Sequence, residues 1–428
     1  MSDTSASADA RPAAPGSPAP FHPPAYPYDR LAPARRVAAA HDGGVVDLSV
    51  GTPTDPPPDA VLRALAGART EADAGSDAGV GSDGGAGSDA GAVADADADA
   101  AAGARADAAG VVRGYPPSVG TQALLDAIVG WMSRRLGVEV APDEVGACVG
   151  TKEFVATVPQ WLKLRSPGRD TVLYPAMAYP TYAMGAELAG LRAVPVAVDA
   201  RFRPDLSTVS ESDAARAVVL WVNSPGNPAG QLDDLAGAAA WGRSRGVTVA
   251  SDECYAEFTW DGPPRTILAT GALDGVLALH SLSKRSNMAG LRLGWYAGER
   301  DLVTYLREVR KHAGLMVPGP VQLAGVAALA DQVHVEAQRT RYRERLVRMR
   351  EILAAAGVDA PLPGGGLYLW ARAPGGDAWA LAERLAAEGG VLVSPGEFYG
   401  AAAAAYVRIA AVAPLERLDL VARRLGVS

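Results

Sequence analysis

Short apolar runs recurring between helical stretches predict an α/β fold for this chain: a mostly parallel sheet sandwiched by helices, plus a smaller α+β domain towards the C-terminus. Three observations carry that reading. The runs at 145–149, 171–174, 193–198, 217–222, 247–250, 276–280 and 293–297 are nearly continuous in Val, Leu and Ala, as strands covered on both faces are. The stretches between many of them are long enough for crossover helices, which parallel neighbours require. Finally, Asn227, Asp252 and Lys284 each follow such a run, and ligands of open parallel sheets sit at the carboxyl ends of the strands.

Taken in order, residues 1–25 are rich in Ala, Pro, Ser and Asp with almost nothing to bury, and read as a disordered tail. Residues 26–60 read as an N-terminal segment of the smaller domain, with a helical pattern to residue 40 and a β-type run over 45–50. That run ends at Gly51, where glycine permits the turn before Pro53. A helix is expected over 59–68. Composition then collapses to Ala, Gly, Asp and Ser over 71–110, which cannot offset its ordering entropy by burial. A disordered, non-catalytic insertion is expected at 69–112.

The large domain is expected over 113–310. It opens on a helix marked by Leu124, Leu125, Ile128, Val129 and Met132 and continues into the first long run. Gly150-Thr151-Lys152-Glu153 then turns from strand to helix. Backbone N–H groups at a helix start attract anions, so Thr151 and Lys152 are candidate phosphate ligands. Helices from about Tyr179 and through Trp241 separate the following strands. Residues 301–316 and one long segment, 322–356, read as helices leading into a smaller domain over 311–428. Its remaining elements are strands at 366–371, 391–393 and 406–412, and helices through Leu385 and over 415–425. Arg408 lies in the last strand.

Composition narrows the function. A net charge of −8 with scattered basic residues offers nucleic acid no basic field, and no apolar run reaches membrane-spanning length. Two cysteines and five histidines supply neither a disulfide framework nor a metal cluster, so no metal is expected. A cytoplasmic protein fits these features.

The chemistry concentrates in Ser281-Leu282-Ser283-Lys284 and Arg292. A lysine directly after an apolar run, flanked by hydroxyls and followed by an arginine, suits a cofactor that is both an aldehyde and a phosphate ester, namely pyridoxal 5'-phosphate. A lone S-x-S-K is more often a solvated loop, and its company elsewhere decides.

That company is Asn227-Pro228-Ala229-Gly230, then Asp252-Glu253-Cys254-Tyr255, then Ser283-Lys284 with Arg292. In order and spacing the chain strongly resembles the fold-type I aminotransferases. Leu48-Ser49-Val50-Gly51-Thr52-Pro53, Gly114-Tyr115-Pro116 and the stretch 281–294 are most similar to the N-succinyldiaminopimelate aminotransferases of actinobacteria. The resemblance implies that Lys284 bonds the cofactor and then carries protons. It implies that Ser281, Ser283, Arg292, Thr151 and Lys152 hold the phosphate, with Tyr115 reaching that of a neighbouring subunit in a homodimer. Asp252 would pair with the ring nitrogen, and Asn227 and Tyr255 with the ring oxygen. Tyr179 matches the aromatic that stacks on the ring, with Tyr182 close enough to leave the choice open. Gly51, Asn227 and Arg408 would bind an amino acid or 2-oxo acid substrate, Arg408 through the α-carboxylate. The implied reaction is transamination of N-succinyl-LL-2,6-diaminopimelate with 2-oxoglutarate. Aspartate, aromatic or N-acetylornithine transamination and carbon–sulfur lysis use the same cofactor motifs.

Overall fold

A computed structural model describes residues 21–74 and 114–427. The expectations for residues 1–20 and 75–112 lie outside the described residues. The strands are β1 (Val46–Asp47), β2 (Val145–Cys148), β3 (Thr171–Pro175), β4 (Arg192–Val196), β5 (Ala217–Asn223), β6 (Thr248–Asp252), β7 (Val276–Ser281), β8 (Gly294–Gly298), β9 (Tyr368–Arg372), β10 (Val391–Leu392), β11 (Ser394–Pro395) and β12 (Tyr406–Ala410). Seven of them form one sheet in the order β2-β8-β7-β6-β5-β3-β4, parallel except that β8 runs against both its neighbours. The predicted α/β architecture is present.

Alternation explains why this sheet needs cover on both sides. Along β7, Val276 and Ala278 face a core shared with Leu124, Ile128 and Trp131, while Leu277 and Leu279 face one shared with Phe154, Val158 and Tyr182. Every residue of β5 and β7 is buried. Each large aliphatic side chain so buried contributes about 1.5–3 kcal/mol. A second, antiparallel sheet, β11-β12-β9, packs on the helices Val333–Ala355, Ala378–Gly389 and Leu415–Arg424 around Leu346, Leu369, Leu385 and Ile409. The helix Gly319–Ala330, although beyond residue 310, gives Ala324, Ala328 and Leu329 to the core of the large sheet.

Several elements differ from expectation. The single helix expected over 322–356 is two, broken at Asp331, whose extended backbone ends the first while its carboxylate accepts from the Val333 and His334 amides. The run over 45–50 forms only the two-residue β1, because its partner β10 is equally short. The strand expected over 391–393 is β10, Val391 and Leu392 paired with β1, but the chain shifts to another sheet at Ser394. The helix placed at 59–68 runs Asp59–Ala74, entering the segment assigned to the insertion. Alanine's helix propensity accounts for the extension.

Candidate active site

A cavity of 460 Å³ opens at the carboxyl ends of the parallel strands, where the three structural parts meet. The large sheet and its turns give Asn223, Asp252, Tyr255, Ser281, Ser283 and Lys284, the N-terminal segment Tyr28 and Gly51, and the smaller sheet Tyr368 and Arg408. Of the residues singled out in the sequence, all but Tyr115 line this one cavity. Tyr115 is 96% exposed.

At one end stands a set of donors. The helix Thr151–Arg165 begins at Gly150, whose φ of +76° needs glycine. A Cβ at Gly150 would come within 2.2 Å of an Arg292 guanidinium nitrogen, so the arginine occupies the space that the bare glycine leaves. Arg292 is braced by its own bond to the Ala289 carbonyl at 2.9 Å. The Ser281 hydroxyl donates to Ser283 Oγ at 2.9 Å, and the Thr151 hydroxyl lies 3.1 Å from Cys254 Sγ. Hydroxyls, a guanidinium and a helix start are the donor set a phosphate ester requires.

Asp252 ends β6 among buried neighbours. Its Oδ2 accepts from the Tyr182 hydroxyl at 2.9 Å and its Oδ1 from the Cys254 amide at 3.2 Å. Burial pushes the carboxyl up, and these bonds oppose that rise. Tyr179 and Tyr182 both line the cavity, in different settings. Tyr182 is fully buried, stacked on Trp221 and committed to Asp252, whereas Tyr179 is half-buried on the cavity wall. Tyr174, half-buried, packs against the core outside this cavity.

Lys284, on the short helix Leu282–Arg285, donates to the Gly51 carbonyl. Burial pulls its amine down to about 8, assisted by the charges of Arg408 and Arg292. The Tyr255 hydroxyl shares a 2.8 Å hydrogen bond with Tyr368, and Gly51 lies so close to Tyr368 that a Cβ there would meet its hydroxyl at 2.1 Å.

Arg408 is not the surface residue that an edge strand would give, because β12 is the middle strand of its sheet. It is 2% exposed, between the rings of Tyr368 and Tyr399, 4.2 and 4.9 Å from their centroids. It donates to Asn227 Oδ1 at 2.9 Å, the Ser49 carbonyl at 2.5 Å and the Tyr28 hydroxyl at 3.4 Å. These acceptors are all neutral, and no carboxylate pairs with Arg408 among the described residues. A buried cation without a counter-ion is a place for an anionic ligand.

Asn223, Tyr28 and Tyr368 are additions that sequence reasoning did not assign, as is the bond from Tyr182 to Asp252. Asn223 supports the site from below: its Nδ2 donates to the Asp252 carbonyl at 2.7 Å and its Oδ1 accepts from the Asn227 amide at 2.7 Å. Its place at the end of an apolar run was the available signal. The cavity thus offers an amine of lowered basicity, a carboxylate, a phosphate donor set and an unpaired arginine. That combination fits a phosphorylated aldehyde with a ring nitrogen, together with an amino acid. Among the described residues no side-chain cluster could hold a metal ion, and no helix is long and apolar enough to cross a membrane.

Residues 44–425 match the family described as aminotransferase class I and II. The 4-dedimethylamino-4-oxo-anhydrotetracycline transaminase OxyQ of Streptomyces rimosus is 41% identical over 409 residues, 94% of this chain and 99% of that protein. LL-diaminopimelate aminotransferase of Desulforudis audaxviator is 36% identical over 321 residues, 73% of this chain and 81% of its own length. Among solved structures, a probable N-succinyldiaminopimelate aminotransferase from Thermus thermophilus is similar with a TM-score of 0.74 and 30% identity, covering 93% of this chain and 98% of that one.

Proposed function

The chain belongs to the class I and II aminotransferases, and from that premise we propose that it moves the amino group of N-succinyl-LL-2,6-diaminopimelate to 2-oxoglutarate. The family depends on pyridoxal phosphate. When bound, that cofactor supplies an aldehyde that accepts the substrate amine and a ring that takes up the electron pair left when the α-proton departs.

In this reading the chain's own residues divide the remaining work. Ser281, Ser283, Thr151, Arg292 and the backbone amide of Lys152 hold the phosphate. Asp252, held by the Tyr182 hydroxyl, would pair with the ring nitrogen. Asn227 and Tyr255 would bind the ring oxygen, and Tyr179 would cover the ring. Lys284 would hold the cofactor through its Nζ, and the free Nζ would take the α-proton as base and return it as acid. Arg408 receives the α-carboxylate on its planar fork beside Gly51 and Asn227. A second copy of the chain completes the site with Tyr115.

The observation that carries the substrate assignment is the charge lining the cavity: Lys152, Lys284, Arg292 and Arg408 against the single carboxylate of Asp252 among the described residues. Cofactor and α-carboxylate account for three of those cations. The Lys152 ammonium is left over at the mouth, 5.8 and 5.7 Å from the Tyr26 and Tyr179 ring centroids. A cation set among aromatic rings suits a substrate whose far end is a carboxylate on a planar amide.

The test is kcat/KM with 2-oxoglutarate for succinylated diaminopimelate, free diaminopimelate, aspartate, N-acetylornithine and phenylalanine. A site that reads the polar tail should favour the succinylated compound by at least about tenfold, since unpaired polar groups cost more than missing methylenes. A tenfold preference for aspartate or phenylalanine overturns the assignment and leaves the general aminotransferase reading.

A further inference from the structure

Lys284 stands on a helix of four residues, Leu282–Arg285, too short to hold its own geometry. The residue after it, Arg285, does not line the cavity and is 2% exposed in the core. Its Nε donates to Glu257 Oε1 at 3.3 Å, its Nη1 to the Ala328 carbonyl at 2.7 Å and the Ser286 hydroxyl at 3.0 Å, and its Nη2 to Gln332 Oε1 at 3.1 Å. Glu257 is 3% exposed and also accepts from Trp131 Nε1 at 2.8 Å and from Arg135 at 3.0 Å. Glu257 belongs to the turn Ala256–Phe258, which continues directly from Asp252 and Tyr255. Trp131 in turn packs edge-on against His280, in the strand that leads to Lys284, with ring centroids 5.0 Å apart.

We infer that Arg285 and Glu257 are positioning residues, whose buried ion pair sets the Lys284 amine in register with Asp252 and Tyr255. The inference rests on the proposal that Lys284 bonds the cofactor. Stability alone is a weak reason for such a pair, because desolvation offsets the attraction and apolar replacement of both partners is often neutral. Direction is a better one. Four hydrogen bonds from one planar guanidinium fix the turn at several points, which no apolar side chain of similar volume does. The carboxylate they meet is anchored next to the other half of the site. A displacement of about 1 Å at a reacting group can cost about 100-fold in rate.

The experiment compares three cofactor-loaded proteins: wild type, Arg285→Met, and Arg285→Met with Glu257→Leu. The readings are melting temperature, kcat/KM, the pH midpoint of the cofactor's absorbance change, and the fraction of cofactor fixed by borohydride. That last reading reports the bond from Lys284 Nζ to the aldehyde carbon, formed with loss of one water. The single variant should melt below wild type, because Glu257 loses a buried partner. The double variant should recover part of the melting temperature, short of wild type because Trp131 Nε1 and Arg135 lose their acceptor with Glu257. Both should keep a displaced midpoint and lose at least about tenfold in kcat/KM. Recovery of midpoint and rate together with stability in the double variant overturns the inference, as does a wild-type midpoint in the single one. If the single variant does not fold, the double decides; if neither folds, Arg285→Lys, which keeps the charge and loses the fork, decides by the same midpoint. Wild-type protein without a borohydride-fixed cofactor on Lys284 would sink the reading of the site itself, a separate outcome.

Discussion

At Lys284 the lowered basicity has a measurable sign. With its amine at about 8 rather than 10.5, the neutral, nucleophilic form predominates above pH 8. Capture of pyridoxal phosphate by cofactor-free protein should therefore quicken about tenfold per pH unit below 8 and level off above it, as read by stopped-flow absorbance. Linkage gives a companion effect. Between about 8 and 10.5 the unfolded chain holds a proton on this lysine that the folded chain has lost, so cofactor-free stability should rise with pH across that window. A flat capture rate from pH 6 to 9 would show that the amine is not depressed. Arg408 has its own test. Arg408→Lys keeps a positive charge but loses the planar fork, and should raise KM for both the amino donor and 2-oxoglutarate by at least about tenfold. An effect on one substrate alone would contradict a shared α-carboxylate site.

At the scale of elements, the start of the helix Thr151–Arg165 is the most exposed to a small change. Gly150→Ala places a methyl where the Arg292 guanidinium lies and forces a side chain onto a backbone of φ +76°. The backbone strain alone, in a region that is essentially glycine-only, costs about 1–3 kcal/mol. We expect weakened cofactor affinity, measured as the dissociation constant for pyridoxal phosphate, with a smaller effect on melting temperature; unchanged affinity would separate Arg292 from the phosphate. This glycine also shows what a sequence reveals. Gly150, Asp252, Lys284 and Arg292 are legible because strand-end chemistry confines them to short local patterns. The bond from Tyr182 to Asp252 is not, because the two lie 70 residues apart and only the packed fold brings them together. The break at Asp331 was hidden for a related reason: apolar periodicity continues across it, while its extended backbone ends one helix and its carboxylate accepts from the first amides of the next. Strand positions were readable from apolar runs, but the division of 391–394 between two sheets depends on partners far along the chain.

For the molecule as a whole, the cavity is assembled from parts that are held together by charge as well as by apolar packing. The segment that carries Gly51 continues to Asp55, whose carboxylate takes both Arg345 nitrogens at 2.6 and 2.7 Å, and Arg345 also reaches the Val412 carbonyl at 3.1 Å. The N-terminal segment is thereby fastened to the helix Val333–Ala355 beside the smaller sheet. Tyr115 is outside this arrangement, nearly fully exposed and absent from the cavity wall of its own chain. In a homodimer with shared sites, as proposed, its hydroxyl completes the partner's phosphate cup. Each site then needs Lys284 from one copy and Tyr115 from the other. Mixing Lys284→Ala with Tyr115→Ala subunits should restore one intact site in each mixed dimer, and activity per mixed dimer should rise towards half that of a wild-type dimer. Tyr115→Ala alone should first be shown to lower kcat/KM or cofactor affinity. With subunit exchange confirmed by mass-labelled copies, mixtures no more active than the sum of the two parent variants would place Tyr115 outside the site.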